Sequence, residues 1–258
     1  MLYLFNKDNT KLLIDEKNGK IKLEFEIDEN ILIDHEFDLM LTCKKGHLGI
    51  TQLLVSAGAN VNVSRATDGM TALMWVSQKG HLEIAQLLVS AGANVNSSRT
   101  TDGMTALMWA SREGHLKIAE FLVTAGANVN ASRTSDGQTA LMWASQKGYL
   151  EITQLLINAG ANVNYTRTSN GMTALMWASH KGHLEIFKFL VEKGAKINAY
   201  TEYFFGMTVL KYAKEPSKDS IINENRLKIV KFIEDQEKRK ATETLYDFIK
   251  EKYLYFLF

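Results

Sequence analysis

The sequence predicts an all-α solenoid of stacked helix pairs, with a long finger between the pairs and a cap at each end. Two observations carry this prediction. The tryptophans Trp75, Trp109, Trp143 and Trp177 are spaced 34 residues apart, and each lies in the string Thr-Ala-Leu-Met-Trp. Residues 68–101 and 102–135 agree at 25 of 34 positions. A repeat unit of this length cannot bury its apolar face alone, so consecutive copies are expected to stack.

A row of glycines in the same register gives the number of copies. They are Gly46, Gly80, Gly114, Gly148 and Gly182. At least five copies are therefore present, and a weaker motif that starts at Phe205 adds a degenerate sixth. We predict repeats at residues 34–67, 68–101, 102–135, 136–169, 170–203 and 204–234.

Each unit carries signals for two helices and one long finger. Thr71 is the type of residue that caps a helix N-terminus, and Ile84 and Leu88 have the spacing of a buried stripe on a second helix. Gly92 stands where a left-handed residue ends that helix. A period of 34 is also the tetratricopeptide length, but the polar run 94–103 is too long for a tetratricopeptide turn.

The unit resembles the ankyrin repeat in three strings. They are Asp68-Gly69-Met70-Thr71-Ala72-Leu73, Gly80-His81-Leu82-Glu83-Ile84 and Ala91-Gly92-Ala93-Asn94-Val95-Asn96. The strings recur at 102–130, 136–164 and 170–198, and the resemblance covers roughly 200 residues. It implies helix pairs stacked side by side, short β-hairpin fingers at about a right angle to them, and a concave side of fingers and first helices that binds a partner protein.

The unit departs from the family pattern in its first helix. The family's Thr-Pro-Leu-His becomes Thr-Ala-Leu-Met, so that proline's preset φ is lost at the first helical position. The methionine, for example Met74, also removes a side-chain hydrogen bond that braces the finger in the family. The unit is one residue longer than the family's, and we expect looser fingers.

The two ends fall outside the repeats. At residues 1–33, Asn18-Gly19 predicts a β-hairpin between Lys11 and Ile27. Residues 1–38 carry 5 basic and 10 acidic side chains, which fits either a solvated cap on the first repeat or an acidic docking element. Residues 235–258 predict an amphipathic helix that either packs on the last repeat or anchors the chain to a membrane or partner. The single proline, Pro216, lies in an insertion that interrupts the closing repeat.

Composition excludes several classes of function. The 30 Lys and Arg against 29 Asp and Glu give a net charge of +1, which provides no overall field to attract nucleic acid. The one cysteine, Cys43, excludes an internal disulfide and fits a reducing compartment. No signal segment and no membrane span are visible. We therefore expect an intracellular protein, cytoplasmic or nuclear, that is monomeric and does not bind nucleic acid.

The sequence also offers no catalytic motif. It lacks a phosphate-binding loop, a paired-cysteine site and a nucleophile elbow. His81, His115 and His183 stand one or more whole repeats apart, and neighbouring repeats are separated by about a helix diameter of ~10 Å, too far to share a metal ion bound at ~2 Å. We expect these histidines to be structural, and we expect no cofactor, no metal and no enzymatic activity.

The tryptophans are the first set of candidate partner-binding residues. Trp75 shares a helix face with Ala72 and Lys79, whereas Leu73 and Val76 point into the stack. Tryptophan is enriched in binding hot spots, so Trp75, Trp109, Trp143 and Trp177 form a candidate ladder. The alternative is that each tryptophan packs on a neighbouring methionine and finger, and the sequence leaves both possibilities open.

The finger arginines are the second set. They are Arg65, Arg99, Arg133 and Arg167. Asp68, Asp102 and Asp136 stand three residues after the first three of them, so surface salt bridges are the alternative to partner binding. Asn170 replaces the fourth aspartate, which makes Arg167 the candidate for binding an external acidic group. Residues 39–210 carry 14 basic and 10 acidic side chains and slightly favour an acidic partner.

Positions that differ between copies complete the candidate surface. They are Met70, Met104, Gln138 and Met172 at the finger exit, and Lys79, Arg112, Lys147 and Lys181 at the end of the first helix.

Our leading hypothesis is a scaffold that binds another protein. The alternative is an adaptor whose non-repeat ends recruit modification or degradation machinery. The resemblance also implies that the finger asparagines Asn96, Asn130 and Asn164 are possible hydroxylation sites, although turn bonding accounts for them more simply.

Overall fold

The structure is a computed structural model that describes residues 2–5, 10–15, 20–25, 35–36, 39–197, 200–201, 207–215 and 217–253. Its contacts group the chain into two compact units, Met1–Ser135 and Asp136–Phe258. The repeats predicted from the sequence occur in both units. That all of residues 34–234 form one continuous stack stays a prediction.

The first unit begins with a four-stranded antiparallel sheet. Its strands are β1 (Leu2–Phe5), β2 (Thr10–Asp15), β3 (Lys20–Phe25) and β4 (His35–Glu36), adjacent in that order. β2 and β3 pair antiparallel, so the predicted hairpin strands are present, but Asp15 lies opposite Lys20, whereas a two-residue turn at Asn18-Gly19 would place Lys22 opposite Asp15. The register is therefore shifted by two residues from the predicted one, and Asn18-Gly19 lies outside the described residues. β1 and β4 were not predicted from the sequence, because neither short segment shows the polar–apolar alternation that predicts a strand. The role of this sheet as a cap stays a prediction.

Three helix pairs follow the sheet. They are α1 (Leu39–Lys45) with α2 (Leu48–Ser56), α3 (Ala72–Lys79) with α4 (Leu82–Ser90), and α5 (Ala106–Glu113) with α6 (Leu116–Thr124). The first helices of consecutive pairs pack against each other, α1 on α3 and α3 on α5, and the second helices follow the same order. This is the side-by-side stacking of repeat units that the 34-residue period predicts.

Local side chains set the limits of each first helix. The Thr71 hydroxyl accepts a hydrogen bond from the Met74 N–H at 3.3 Å, and Gly80 ends α3 with a φ of +87°. The predicted N-cap at Thr71 is therefore confirmed, and the left-handed glycine predicted to follow the second helix is found at Gly92, whose φ is +89°. Ala72 starts the helix without proline, because the hydroxyl cap satisfies one of the backbone N–H groups that a helix N-terminus leaves without an intrahelical partner.

The core lies between neighbouring pairs. Leu73 and Val76 are buried, as their predicted inward direction requires, and Ile84 and Leu88 of the second helix complete the same layer. Each such aliphatic side chain contributes roughly 1.5–3 kcal/mol on burial. Met74, which replaces the family's histidine, is also fully buried, so its role here is packing.

Histidine and glycine form a close contact at each junction between repeats of this unit. A Cβ placed on Gly80 would lie 2.8 Å from Cε1 of His115, the histidine of the next repeat. The Nε2 atom of His115 lies 3.1 Å from the Gln78 carbonyl oxygen. A Cβ placed on Gly46 would likewise lie too close to the ring of His81. These contacts give His81 and His115 the structural role that the sequence predicts.

The fingers of this unit contain less β structure than predicted. Where hairpins were expected, the only pairing between residues 64 and 71 is one antiparallel bridge, Ser64 with Thr71, and the next finger repeats it as Ser98 with Thr105. The chain turns too tightly for more, because the Gly69 N–H donates to the Arg65 carbonyl at 2.7 Å. The fingers here are tight turns closed by a single bridge.

Asparagine side chains join each finger to the following repeat. The Asn62 amide donates to the Gly92 carbonyl at 3.0 Å and accepts from the Asn94 N–H at 2.8 Å. Asn96 makes the equivalent bonds to Gly126 and Asn128. The finger asparagine thus bonds across repeats, not only within its own turn.

The second unit has the same plan followed by a different end. Its elements are α7 (Ala140–Lys147), α8 (Leu150–Asn158), α9 (Ala174–Lys181), α10 (Leu184–Glu192), β5 (Tyr200–Thr201), β6 (Met207–Thr208), α11 (Val209–Lys214) and α12 (Ser220–Tyr253). α7 packs on α9, and α9 packs on α11. β5 and β6 pair antiparallel, so the last finger does form a hairpin. Each first helix again starts at a threonine cap, as at Thr208.

The long helix α12 closes this unit. It contacts α9, α10 and α11 through a buried face that includes Ile229 and Ile233. Arg226 is only 5% exposed and donates hydrogen bonds to the backbone carbonyls of His180 and Glu215. The helix passes through the predicted boundary at residue 235 without a break, while Pro216 and residues 254–258 lie outside the described residues.

Candidate functional site

Each finger of the first unit holds an arginine against an aspartate. Asp68 accepts a hydrogen bond from Nε of Arg65 at 2.8 Å and another from the Met70 N–H at 3.1 Å. The Arg65 guanidinium lowers the pKa of Asp68 to about 2. The pair is on the surface, since the Arg65 side chain is 44% exposed. It fixes the shape of the turn more than it stabilises the fold.

Asp102 binds two arginines. Nε of Arg99 donates to it at 2.8 Å from the same finger, and Nη2 of Arg133 donates at 3.1 Å from the next finger. The carboxylate is 6% exposed. Burial acts to raise its pKa, but the hydrogen bonds from Arg99 and the Met104 N–H outweigh burial and leave the pKa lowered. One buried anion therefore orders two successive fingers.

The prediction that Arg167 is available for an external acidic group is wrong. Its guanidinium makes a salt bridge with Asp136, 31 residues earlier, and its Nε lies 3.2 Å from the same carboxylate. Asn170 keeps the backbone role of the missing aspartate, since its side-chain oxygen accepts from the Met172 N–H at 3.2 Å. The substitution removes the charge within the repeat, and the carboxylate of the preceding repeat replaces it.

The arginines also pack on the tryptophans. Cζ of Arg65 lies 5.4 Å from the centre of the Trp75 ring. Nζ of Lys44, in the last turn of α1, lies 4.5 Å from the same ring centre. Both distances are within the range of cation–π attraction. Trp75 stays partly exposed. An aromatic ring bordered by two cations is therefore accessible in the first unit.

The other tryptophans differ in exposure. Trp109 is 4% exposed, with the guanidinium carbons of Arg99 and Arg112 each 5.1 Å from its ring, so of the two possibilities left open by the sequence, packing applies at this position. Trp143 and Trp177 are half-buried. Arg167 lies 6.0 Å from the Trp177 ring. Trp75, Trp109 and Trp177 thus pack on finger arginines, and Trp75, Trp143 and Trp177 stay partly exposed.

The finger-exit residues are not part of any surface. Met70 and Met104 are 1% exposed, and Gln138 and Met172 are also buried. The chain turns inward at the finger exit to start the first helix, and these side chains fill the space beneath the turn. The prediction that they diversify a binding surface is wrong. Gln138 differs from the methionines because it bonds to Gln146, at 3.3 Å, instead of packing only on apolar groups.

The helix-end cations remain at the surface. Lys79 and Lys147 are exposed, and Lys181 and Arg112 are partly exposed. Arg112 lies 3.5 Å from the carboxylate of its neighbour Glu113. In each unit, taken by itself, we name the surface made by the finger arginines, the first-helix tryptophans and the last turns of the first helices the finger–helix side.

Sequence reasoning missed Lys44 and Lys45, which occupy the last turn of α1. The signal was present, because Lys44-Lys45-Gly46 has the register of Gln78-Lys79-Gly80. It was overlooked because the first copy lacks the Thr-Ala-Leu-Met-Trp string that marks the others.

The described residues provide no group of three or more metal-ligating side chains that could hold an ion. Among the same residues, no helix combines the length and apolar character needed to cross a membrane. His183 lies 3.2 Å from the Gln146 carbonyl oxygen, and burial lowers its pKa.

Comparison with known proteins gives one family. The family model described as ankyrin repeats matches residues 39–133 and 129–201, with three copies in all. A search of curated proteins finds no match.

Proposed function

Because the chain belongs to the ankyrin-repeat family, whose members are generally protein–protein interaction modules, we propose that it is a non-enzymatic scaffold that binds a partner protein through the finger–helix side. The observation that carries the proposal is the partly exposed Trp75 ring, with Lys44 at 4.5 Å and Arg65 at 5.4 Å from its centre. Tryptophan and arginine are the residues most enriched in binding hot spots.

The order of this surface supports the same proposal. Arg65, Arg99 and Arg133 are fixed by carboxylates before any partner arrives. Side chains that are already held lose less conformational entropy on association. The second unit repeats the arrangement with Arg167, held by Asp136, beside Trp177. Each unit therefore offers preordered cations next to an accessible ring.

Site-specific cross-linking in the native host tests the proposal. A photo-cross-linking amino acid replaces Glu113 or Lys147, which are exposed at the ends of α5 and α7. Matched control positions are Gln86 and Glu151, which are exposed on the second helices α4 and α8. We expect a discrete cross-linked species from the first pair that is absent from the controls. Equal cross-linking from all four positions, or none from the first pair, would contradict the proposal.

A further inference from the structure

Three lysines of the first unit differ from the other cations of residues 39–135 in having no neighbouring carboxylate within that range. Lys44 and Lys45 end α1, Lys79 ends α3, and all three are exposed. Within residues 39–135, no carboxylate lies within 4.0 Å of any of them. The remaining cations of that range all have one: Arg65 with Asp68, Arg99 and Arg133 with Asp102, Arg112 with Glu113, and Lys117 with Glu120.

Two of these lysines, Lys44 and Lys79, are placed close to one aromatic ring, and Lys45 is the neighbour of Lys44 in the last turn of α1. Lys44 is 4.5 Å above Trp75, and Lys79 stands one helical turn after Trp75 on the same helix. The Arg65 guanidinium that borders the ring from the finger is already bound to Asp68. The surface thus combines positive charge that no carboxylate of residues 39–135 balances within 4.0 Å with an apolar area that a partner's side chains can cover.

We propose that this lysine–tryptophan surface, formed by Lys44, Lys45, Lys79 and Trp75, binds an acidic, extended segment of the partner protein. The proposal rests on the proposed function and specifies the chemistry of the partner. Charge complementarity carries it, because no carboxylate of residues 39–135 lies within 4.0 Å of these lysines, whereas each of the other cations in that range has one.

The spacing of the repeats suggests the pattern of the segment. The first helices of neighbouring repeats lie side by side, about one helix diameter of ~10 Å apart. An extended polyproline II segment has three residues per turn and a rise of ~3.1 Å, so every third side chain recurs on one face after ~9 Å. A carboxylate at every third residue would therefore meet one helix end per repeat.

A designed peptide tests the proposal with the full chain. The probe is a fluorescein-labelled twelve-residue peptide of proline and alanine with glutamate at every third position, and its control has glutamine at those positions. Fluorescence anisotropy measures binding to the wild type, to K45E/K79E and to K117E/K188E. The last variant makes the same change in net charge at exposed lysines of α6 and α10. Far-UV circular dichroism checks that each variant keeps its helices.

We expect the glutamate peptide to bind, the glutamine peptide to bind at least tenfold more weakly, and added salt to weaken binding. K45E/K79E should lose at least tenfold in affinity and K117E/K188E less than twofold. Equal losses in the two variants, equal binding of the two peptides, or tighter binding of a duplex RNA at the same salt would overturn the proposal. If cross-linking from Glu113 succeeds but the glutamate peptide does not bind, the acidic partner is excluded and the proposed function stands. If neither succeeds, both are wrong.

Discussion

The guanidinium of Arg133 donates to the carboxylate of Asp102, which lies 31 residues earlier in the chain, at 3.1 Å. Asp102 also accepts from Arg99 of its own finger. The two fingers are consequently ordered by a single buried anion. Asp68 has only the Arg65 guanidinium at salt-bridge distance among its described neighbours, in a more exposed pair. The two aspartates stand at equivalent positions and form a natural matched pair.

Replacing Asp102 with asparagine should therefore cost more than the same change at Asp68. Asparagine keeps an oxygen for the Met104 N–H but leaves two partly buried guanidiniums without their carboxylate. We expect a loss of about 2–3 kcal/mol for Asp102→Asn and at most about 1 kcal/mol for Asp68→Asn. Urea unfolding midpoints measure the difference. Equal shifts would show that Arg133 gains nothing from the carboxylate.

The lowered pKa of Asp68 predicts a dependence of stability on pH. In the folded protein this pKa is about 2, below the ~3.9 of an ordinary aspartate. The ion pair's contribution is therefore fully present above about pH 4 and is lost as the pH falls towards 2. The difference in Tm between wild type and Asp68→Asn, measured at pH 6 and again near pH 2.5, should shrink at the lower pH. A difference that stays constant would mean that the charge of Asp68 does not matter.

Two glycines with nearly the same backbone conformation should respond differently to alanine. Gly80 and Gly92 have φ values of +87° and +89°, but a Cβ on Gly80 would meet the His115 ring at 2.8 Å, whereas one on Gly92 would have no neighbour within 4 Å. The left-handed conformation alone costs about 1 kcal/mol with alanine. We expect that cost at Gly92→Ala and about 2–3 kcal/mol at Gly80→Ala, because the ring must move. Thermal unfolding of the two variants compares them directly.

The inter-repeat bonds of Asn62 should be measurable at one amide. Asn62→Ala removes the acceptor of the Asn94 N–H and the donor to the Gly92 carbonyl. We expect a loss of about 1 kcal/mol and faster hydrogen exchange at Asn94. Ser90→Ala removes only a bond to Leu87 within the same helix and serves as the control. Unchanged exchange at Asn94 would show that the asparagine does not couple the repeats.

Arg226 should hold the start of α12 in place. Arg226→Met keeps most of the stem but leaves the carbonyls of His180 and Glu215 without their donor, a cost of about 1–3 kcal/mol. Hydrogen exchange should rise in residues 222–233 and stay unchanged in α7. Leu227→Met, at a position 69% exposed, is the matched control. If both variants behave alike, the arginine is not the anchor.

The parts of the fold that depend on near neighbours in the chain could be predicted from the sequence. The Thr71 cap, the left-handed glycine after the second helix at Gly92 and the inward direction of Leu73 each depend on residues within four or five positions. The junction histidines were also predictable, because a repeated residue in a sequence without catalytic motifs is best explained by packing.

The candidate site was harder to predict because its partners are one repeat apart. Arg167 looked unpaired when compared with Asn170 three residues later, and only the stacked fingers bring Asp136 to it. Met70 looked like a surface residue because it follows a polar finger, yet the chain turns inward there. Periodicity shows which residues are equivalent, but it does not show whether a side chain contacts its own copy or the next.

The junction of histidine on glycine has a direction. Gly46 receives His81, Gly80 receives His115 and Gly148 receives His183, always from the copy that follows. Copies joined head to tail are interchangeable: removing residues 68–101 as a block would bring His115 onto Gly46 and leave the chemistry of the junction unchanged. Such a series has no inherent end. At Gly182 the residue that arrives is Ile222 of α12, whose carbonyl oxygen would lie 3.0 Å from a Cβ on that glycine. Helix α12, which contains no histidine, therefore occupies the position beside Gly182 that a histidine takes at the other three glycines. Repeats can be added or removed before this point without changing the contact at Gly182.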